Sequence, residues 1–226
     1  MKKILVLLVV AGAYWLILAK PGLYFNKSAE YRGFTLYAHG SLPEKTDIVL
    51  DKVYDKISTS DFYTPEMKFN IYLTGGRGEF SFFTPLLHGE YVRVSPLGGA
   101  IYVAAADFAA DEVRTAPGAP AHRPLSAELV RAAAREMTRR ILEPLSYLVM
   151  SEWKLRGYSE RLSGGTGEYQ PADICKSDDP AMLDFKYGLA LDYAIKVDGV
   201  SMRELMTKEY AYEKLEEGVK KQNCGG

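Results

Sequence analysis

The chain has little of what metal and nucleophile chemistry is built from. Its 226 residues include two cysteines and three histidines. His39, His88 and His122 stand in separate segments, with no second histidine or cysteine at ligand spacing. Zinc sites draw on imidazole, thiolate and carboxylate donors at recurring short spacings, so a histidine-built metal site is excluded and no metal or other cofactor is expected. No Gly-x-Ser-x-Gly elbow or Cys/His nucleophile context occurs either. Charge of one sign is also missing. With 28 basic and 29 acidic residues the formal net charge is −1, which leaves no broad basic surface and argues against nucleic acid as a partner. Cys175 and Cys224 form no Cys-x-x-Cys pair, and spacing alone leaves open whether they bridge.

What is present begins at the N-terminus, where Lys2-Lys3 precede an uncharged run from Ile4 to Ala19 that ends at Lys20-Pro21. The run lies between a signal h-region of roughly 7–15 residues and an ideal span of about 20. The segment before Lys20 is a poor small-x-small cleavage site. Residues 1–20 are therefore expected to form a single uncleaved transmembrane anchor, with a cleaved signal peptide as the other reading. Tyr14 and Trp15 suit the outer interface, and the short basic tail favours a cytoplasmic N-terminus. The globular domain would then face outward from the cytoplasmic membrane, into a periplasmic or extracellular space.

The remainder reads as α+β. Residues 21–109 form a sheet-rich subdomain, with Lys20 to Tyr31 as a link. Strands are expected over Phe34–Ala38, Phe69–Thr74, Tyr91–Ser95 and Ala100–Ala104, and one covering helix carries Ile48, Val49, Val53 and Ile57 as its apolar stripe. Gly75-Gly76-Arg77-Gly78 lacks the Gly-Lys-Ser/Thr ending of a phosphate loop and reads as a hairpin turn. The Ala/Pro/Gly-rich stretch from Ala109 to Pro124 is an exposed connection. A helical subdomain over 124–222 follows. Its first helix is capped by Ser126 and stops before Pro144, its second covers about 146–162, and Asp179-Pro180 and a Ser201-x-x-Glu204 box start later helices.

The chemistry of the helical half centres on two strings, Arg135-Glu136-Met137-Thr138-Arg139 and Trp153-Lys154-Leu155-Arg156-Gly157-Tyr158. On a helical wheel Leu129, Val130, Ala133, Met137 and Ile141 share a face, and Arg131, Arg135 and Arg139 lie opposite, which by itself describes a solvated polar face. Taken together and in order, the strings resemble membrane-anchored bacterial gluzincin-like proteins, in which His-Glu-x-x-His lies on one helix and Trp-x-x-Glu-Gly-Tyr opens the next. The specific part of the resemblance covers about residues 122–165. Ser159 and Arg161 depart from it, as do all three ligand positions, filled here by Arg135, Arg139 and Arg156.

That resemblance implies a peptidase framework with its metal site erased. A guanidinium offers five N–H donors, has no acceptor and repels a dication. Glu136 occupies the position of the general base, but that role needs a metal-polarised water, and nearby arginines hold its carboxylate ionised and weakly basic. The expectation is no hydrolase activity, no metal, and a binding or structural role. Two arrangements of the arginines are possible: an anion or acidic-peptide cleft lined by Arg135, Arg139 and Arg156, or a salt-bridged network in which Glu136, Glu152 and Glu160 fill the vacated site. The contrary reading is an active metallopeptidase using Glu136, Glu152 or Glu160 with a rearranged metal site.

Overall fold

The computed structural model describes residues 2–84, 91–95, 98–113, 124–165, 169–176 and 179–224. The chain divides into two compact units, Met1–Lys52 with Pro65–Ser126, and Val53–Thr64 with Ala127–Gly226. The architecture is α+β, as the alternation of patterns predicts.

The first unit opens with helix α1, Lys2–Ala19. At 1.5 Å per residue its 18 residues extend about 27 Å, a little under a hydrocarbon core of about 30 Å. Among the described residues no helix is long and apolar enough to cross a membrane, so the expected spanning anchor over residues 1–20 lacks support in that form. The expected link after it is also more structured than its polar composition suggests. Strand β1, Lys27–Tyr31, pairs antiparallel with β2, Phe34–Ala38. The two-residue connection has both Arg32 (φ 45°) and Gly33 (φ 83°) in left-handed conformation, which matches the twist of a tight hairpin. β1 is exposed along nearly its whole length; its Lys27 and Glu30 suit a sheet edge that must not recruit another strand.

Helix α2 is Thr46–Ile57, and the Thr46 hydroxyl at its start donates to the Pro43 carbonyl at 2.6 Å. Val49, Leu50, Val53 and Ile57 are buried and Ile48 is half exposed, so Leu50 takes the place in the stripe that the sequence gives to Ile48. Strand β3, Phe69–Leu73, runs parallel to β2. Helix α3, Arg77–Phe83, then starts where a hairpin turn was expected. Two parallel strands require a crossover rather than a hairpin, and Glu79 folds back to accept the Gly75 N–H at 2.5 Å. β4, Val92–Val94, and β5, Ile101–Val103, complete a five-stranded sheet in the order β1-β2-β3-β5-β4, with β5 parallel to β3 and β4 antiparallel to β5. The expected connection over 109–124 contains part of a small hairpin, β6 (Ala106–Asp107) with β7 (Glu112–Val113).

Strand alternation sorts the sheet into two faces. Leu36, Ile71 and Ile101 align on one, while Tyr37, Tyr72 and Tyr102 align on the other. The tyrosines stack across the strands, 4.6 Å between Tyr37 and Tyr72 and 5.3 Å between Tyr72 and Tyr102. Aromatic pairs of this kind contribute about 0.5–1.5 kcal/mol each beyond their burial. Phe25, Phe80 and Phe83 cover this face, together with Ile17 and Leu18 from the end of α1.

The second unit is helical: α4 (Leu125–Ile141, whose first two residues belong to the first unit), α5 (Pro144–Val149), α6 (Glu152–Ser163), α7 (Leu183–Lys196), α8 (Met202–Thr207) and α9 (Tyr212–Cys224). The single helix expected over 146–162 is two, parted at Met150 and Ser151, both extended in backbone. Gly164 in left-handed conformation ends α6. Asp179 caps the turn leading into α7 and Ser201 caps α8, as the sequence predicts. Cys175 and Cys224 form a disulfide with Cα atoms 5.6 Å apart, which fastens the turn at Pro171–Cys175 to the end of α9.

Closing a loop of 49 residues restricts the unfolded chain by up to about 4 kcal/mol. Denaturant unfolding of the Cys175→Ser/Cys224→Ser variant should show a lower midpoint than the native protein, and a reducing agent should lower the native midpoint while leaving the variant unchanged.

Candidate functional site

Helix α4 carries Arg135, Glu136 and Arg139, and its start is set from a distance. Asp111, at φ 56° in the β6–β7 turn, accepts the Ser126 N–H on Oδ1 at 2.7 Å and the Ser126 hydroxyl on Oδ2 at 2.8 Å, while its carbonyl accepts the Leu125 N–H at 2.9 Å. Ser126, the expected cap, is therefore itself capped. A nonlocal cap leaves no signature at the helix, which is why spacing did not show it.

The helix is buried on more of its surface than an amphipathic pattern implies. Leu129, Val130, Ala132, Ala133, Ala134, Met137 and Thr138 are all buried, and Glu136 is 0% exposed. The three alanines are buried on both sides of the apolar stripe, and Thr138 returns its hydroxyl to the Ala134 carbonyl at 2.8 Å. The arginines are thus not a solvated stripe: Arg131, Arg135 and Arg139 are each only partly exposed.

Glu136 is held by two arginines, one of these three and its neighbour Arg140. Arg139 clasps the carboxylate bidentately, Nε to Oε2 and Nη2 to Oε1, both at 2.7 Å, and Arg140 Nε donates to Oε1 at 2.6 Å. Hydrogen bonding to Glu136 raises the Arg139 pKa further above its ordinary value, against the opposing effect of burial. Arg140, one residue beyond the motif, is the partner the sequence reading did not single out. Arg135 and Arg139 both act electrostatically on the phenol of Tyr147, whose pKa is pushed up by burial and drawn back by their charge.

Arg156 is engaged elsewhere, on α6. Its Nε donates to Asp184 at 2.5 Å, Nη1 lies 3.5 Å from Glu152, and the guanidinium sits 5.5 Å from the centre of the Tyr187 ring. Glu160 accepts from Arg131, which also binds Glu128 at 2.6 Å. The carboxylates foreseen as partners do pair with arginines, but in separate groups: Glu136 with Arg139 and Arg140, Glu160 with Arg131, Glu152 with Arg156. Asp184 and Asp192 on α7, the latter bound by Arg161 at 2.7 Å, were not anticipated; acidic positions on a neighbouring helix carry no local sign of their partner.

The other residues of the second string have packing roles. A Cβ on Gly157 would lie 2.6 Å from the Tyr187 carbonyl oxygen, so only glycine lets α6 and α7 approach this closely. Tyr158 shares a hydrogen bond with Ser60 and tilts against Phe62 at 5.3 Å. Trp153 lies 5.7 Å from the Tyr212 ring. Lys154 is buried, with Nζ donating to the Lys208 carbonyl at the end of α8; burial lowers its pKa.

Among the described residues no group of three or more His, Cys, Asp or Glu is placed to hold a metal. His39 shares a hydrogen bond with Glu79 at 2.8 Å and stacks on Phe25 at 4.7 Å. His88 and His122 lie outside the described residues.

Two measurements probe this arrangement. Glu136→Gln should destabilise the protein by about 3 kcal/mol, the low end for breaking a buried ion pair because Arg139 and Arg140 keep some solvent contact; a glutamate retained only for chemistry would leave the denaturation midpoint unchanged or raised. Burial pushes the Tyr158 hydroxyl up to about 12, with its bond to Ser60 acting the other way. The unfolded chain ionises near its ordinary value of about 10 and the native chain does not, so stability is full below that pH and falls as pH rises towards 12. Tyr158→Phe should flatten that alkaline loss in pH-dependent urea titrations.

Comparison of the chain with protein-family models, with curated proteins and with solved structures returns no match.

Proposed function

We propose that the chain is a catalytically degenerate, peptidase-like protein of gluzincin type that works at the outer side of the cytoplasmic membrane in a structural or binding role. The single observation behind the catalytic part is the state of Glu136. Its carboxylate is fully buried and takes three N–H bonds from Arg139 and Arg140. A general base must reach a water and accept its proton, whereas both oxygens here are committed to permanent cations. The order of elements, with the first string on α4 and the second on α6, is in keeping with the resemblance.

The pairing of Arg139 and Arg156 also bears on the binding role. An acidic ligand would have to displace Glu136 from one or Asp184 from the other, so these two arginines act as internal struts, and the anion cleft is the weaker form of the reading. The membrane part draws on α1, whose Ile4, Val6, Leu8, Val9 and Val10 are each more than 60% exposed. The disulfide between Cys175 and Cys224 favours an oxidising compartment, since such bonds are rare where thiols are kept reduced.

Metal analysis decides between this reading and an active metallopeptidase. The purified chain should carry no stoichiometric zinc and show no zinc-dependent peptide hydrolysis, and the Arg135→His/Arg139→His/Arg156→Glu variant should gain zinc affinity measurable by titration calorimetry. Stoichiometric zinc in the native protein, with hydrolysis abolished by Glu136→Gln, would overturn the proposal; a variant that folds but gains no affinity would remove the gluzincin relationship from it.

A further inference from the structure

Helix α1 is not a free tether. The Tyr14 hydroxyl donates to the Phe82 carbonyl at 2.9 Å and the two rings meet edge to face at 5.0 Å. Ile17 and Leu18 lie against the aromatic cluster of Phe25, Tyr72, Phe83 and Tyr102. Positions 14, 17 and 18 share one helical face, so the last turns of α1 belong to the first unit. The part left unattached, Lys2 to Ala13, is about 12 residues and extends about 18 Å, far short of a hydrocarbon core of about 30 Å. A bilayer that takes up this helix must therefore reach past Tyr14, onto the unit itself.

The surface at that level is apolar. On the outward side of α1, Trp15 is 62% and Leu16 48% exposed; Leu23 is 72%, Tyr24 45% and Phe82 40% exposed. Trp15 and Leu16 adjoin along α1, Leu23 and Tyr24 adjoin just after the turn that follows it, and Phe82 is joined to α1 through Tyr14 and to Tyr24 through the buried Phe83. Lys20 is exposed beside them. Tryptophan, tyrosine and lysine are the residues that gather at the headgroup level, where an apolar body meets a wet rim.

We propose that the first unit is seated in the headgroup layer of a lipid bilayer, with Trp15, Leu16, Leu23, Tyr24 and Phe82 at or below headgroup depth, so that α1 and the sheet enter the membrane surface as one rigid piece. The proposal rests on the membrane reading given above and adds where the globular unit sits. A bilayer suits this surface better than a protein partner because the patch runs without a break into the uncharged segment Ile4–Ala19, which is flanked by Lys2-Lys3 at one end and Lys20 at the other. A partner covering Leu23 and Phe82 alone would leave the exposed side of α1 in water.

Bromolipid quenching tests it on the full chain, reconstituted in phosphatidylcholine/phosphatidylglycerol vesicles. The protein has two tryptophans, so Trp153→Phe leaves Trp15 as the sole reporter; adding Trp15→Phe with Leu23→Trp, or with Phe82→Trp, moves the reporter to two independent exposed sites. Ser28→Trp, on the exposed strand β1, in the same tryptophan-free background, serves as the solvent reference. The reporters at 15, 23 and 82 should lose at least twofold more intensity than the one at 28, and lipids brominated near the headgroup should quench them more than lipids brominated deep in the tail. Co-flotation with vesicles but no excess quenching at 23 and 82 would overturn the seating while leaving the membrane reading intact. Failure to co-float at all would remove both.

Discussion

A carboxylate shut away from water has to be neutralised where it stands, and in the second unit that carboxylate is Glu136. Removing an ion from water costs several kcal/mol even in a relaxed protein, and the loss is offset only by close, well-aligned counter-charges. Arg139 and Arg140 supply them from the last turn of the same helix. The consequence reaches beyond the pair: because Glu136 is buried together with Met137 and Thr138, α4 can lie deep among its neighbours only while its own arginines reach back to cover that charge.

Around this helix the unit is braced by pairs that each join two elements. Arg131 links α4 to Glu160 on α6; Arg156 and Arg161 link α6 to Asp184 and Asp192 on α7. Gly157 allows α6 and α7 to meet backbone to backbone, and the ion pairs then hold the chosen register, since a one-turn slip would strand each charge. Arg131, Arg156 and Arg161 thus each take a carboxylate from a neighbouring helix, whereas Glu136 is neutralised from within its own. These ion pairs and the close approach at Gly157 together hold the helices of the unit to one another.

Much of the fold was legible because hydrophobic period and turn chemistry act locally. The alternation in Phe34–Ala38 and Phe69–Leu73 and the Asp179 and Ser201 caps report conditions set within a few residues. What escaped depends on distant partners. β1 is polar because it is an edge strand and exists by pairing with β2; the cap on α4 comes from Asp111, fifteen positions earlier; Gly75-Gly76 precedes a helix because β3 and β5 are parallel, a fact of the sheet and not of the tetrapeptide. At the site, the identity of the arginines and Glu136 was readable, while their partners were readable only in part. Arg140 lay one residue outside the motif, and Asp184 and Asp192 belong to a helix whose approach is controlled by Gly157.

The disulfide has a consequence of another kind. Cys175 and Cys224 join the turn after α6 to the final residue of α9, so α7, α8 and α9 lie on a covalent ring. A proteinase that cuts once anywhere between those cysteines opens the ring without releasing a fragment, and the severed helices remain tied to the rest of the chain. The stretch between the two cysteines, under a quarter of the chain, can therefore be nicked and still stay in place.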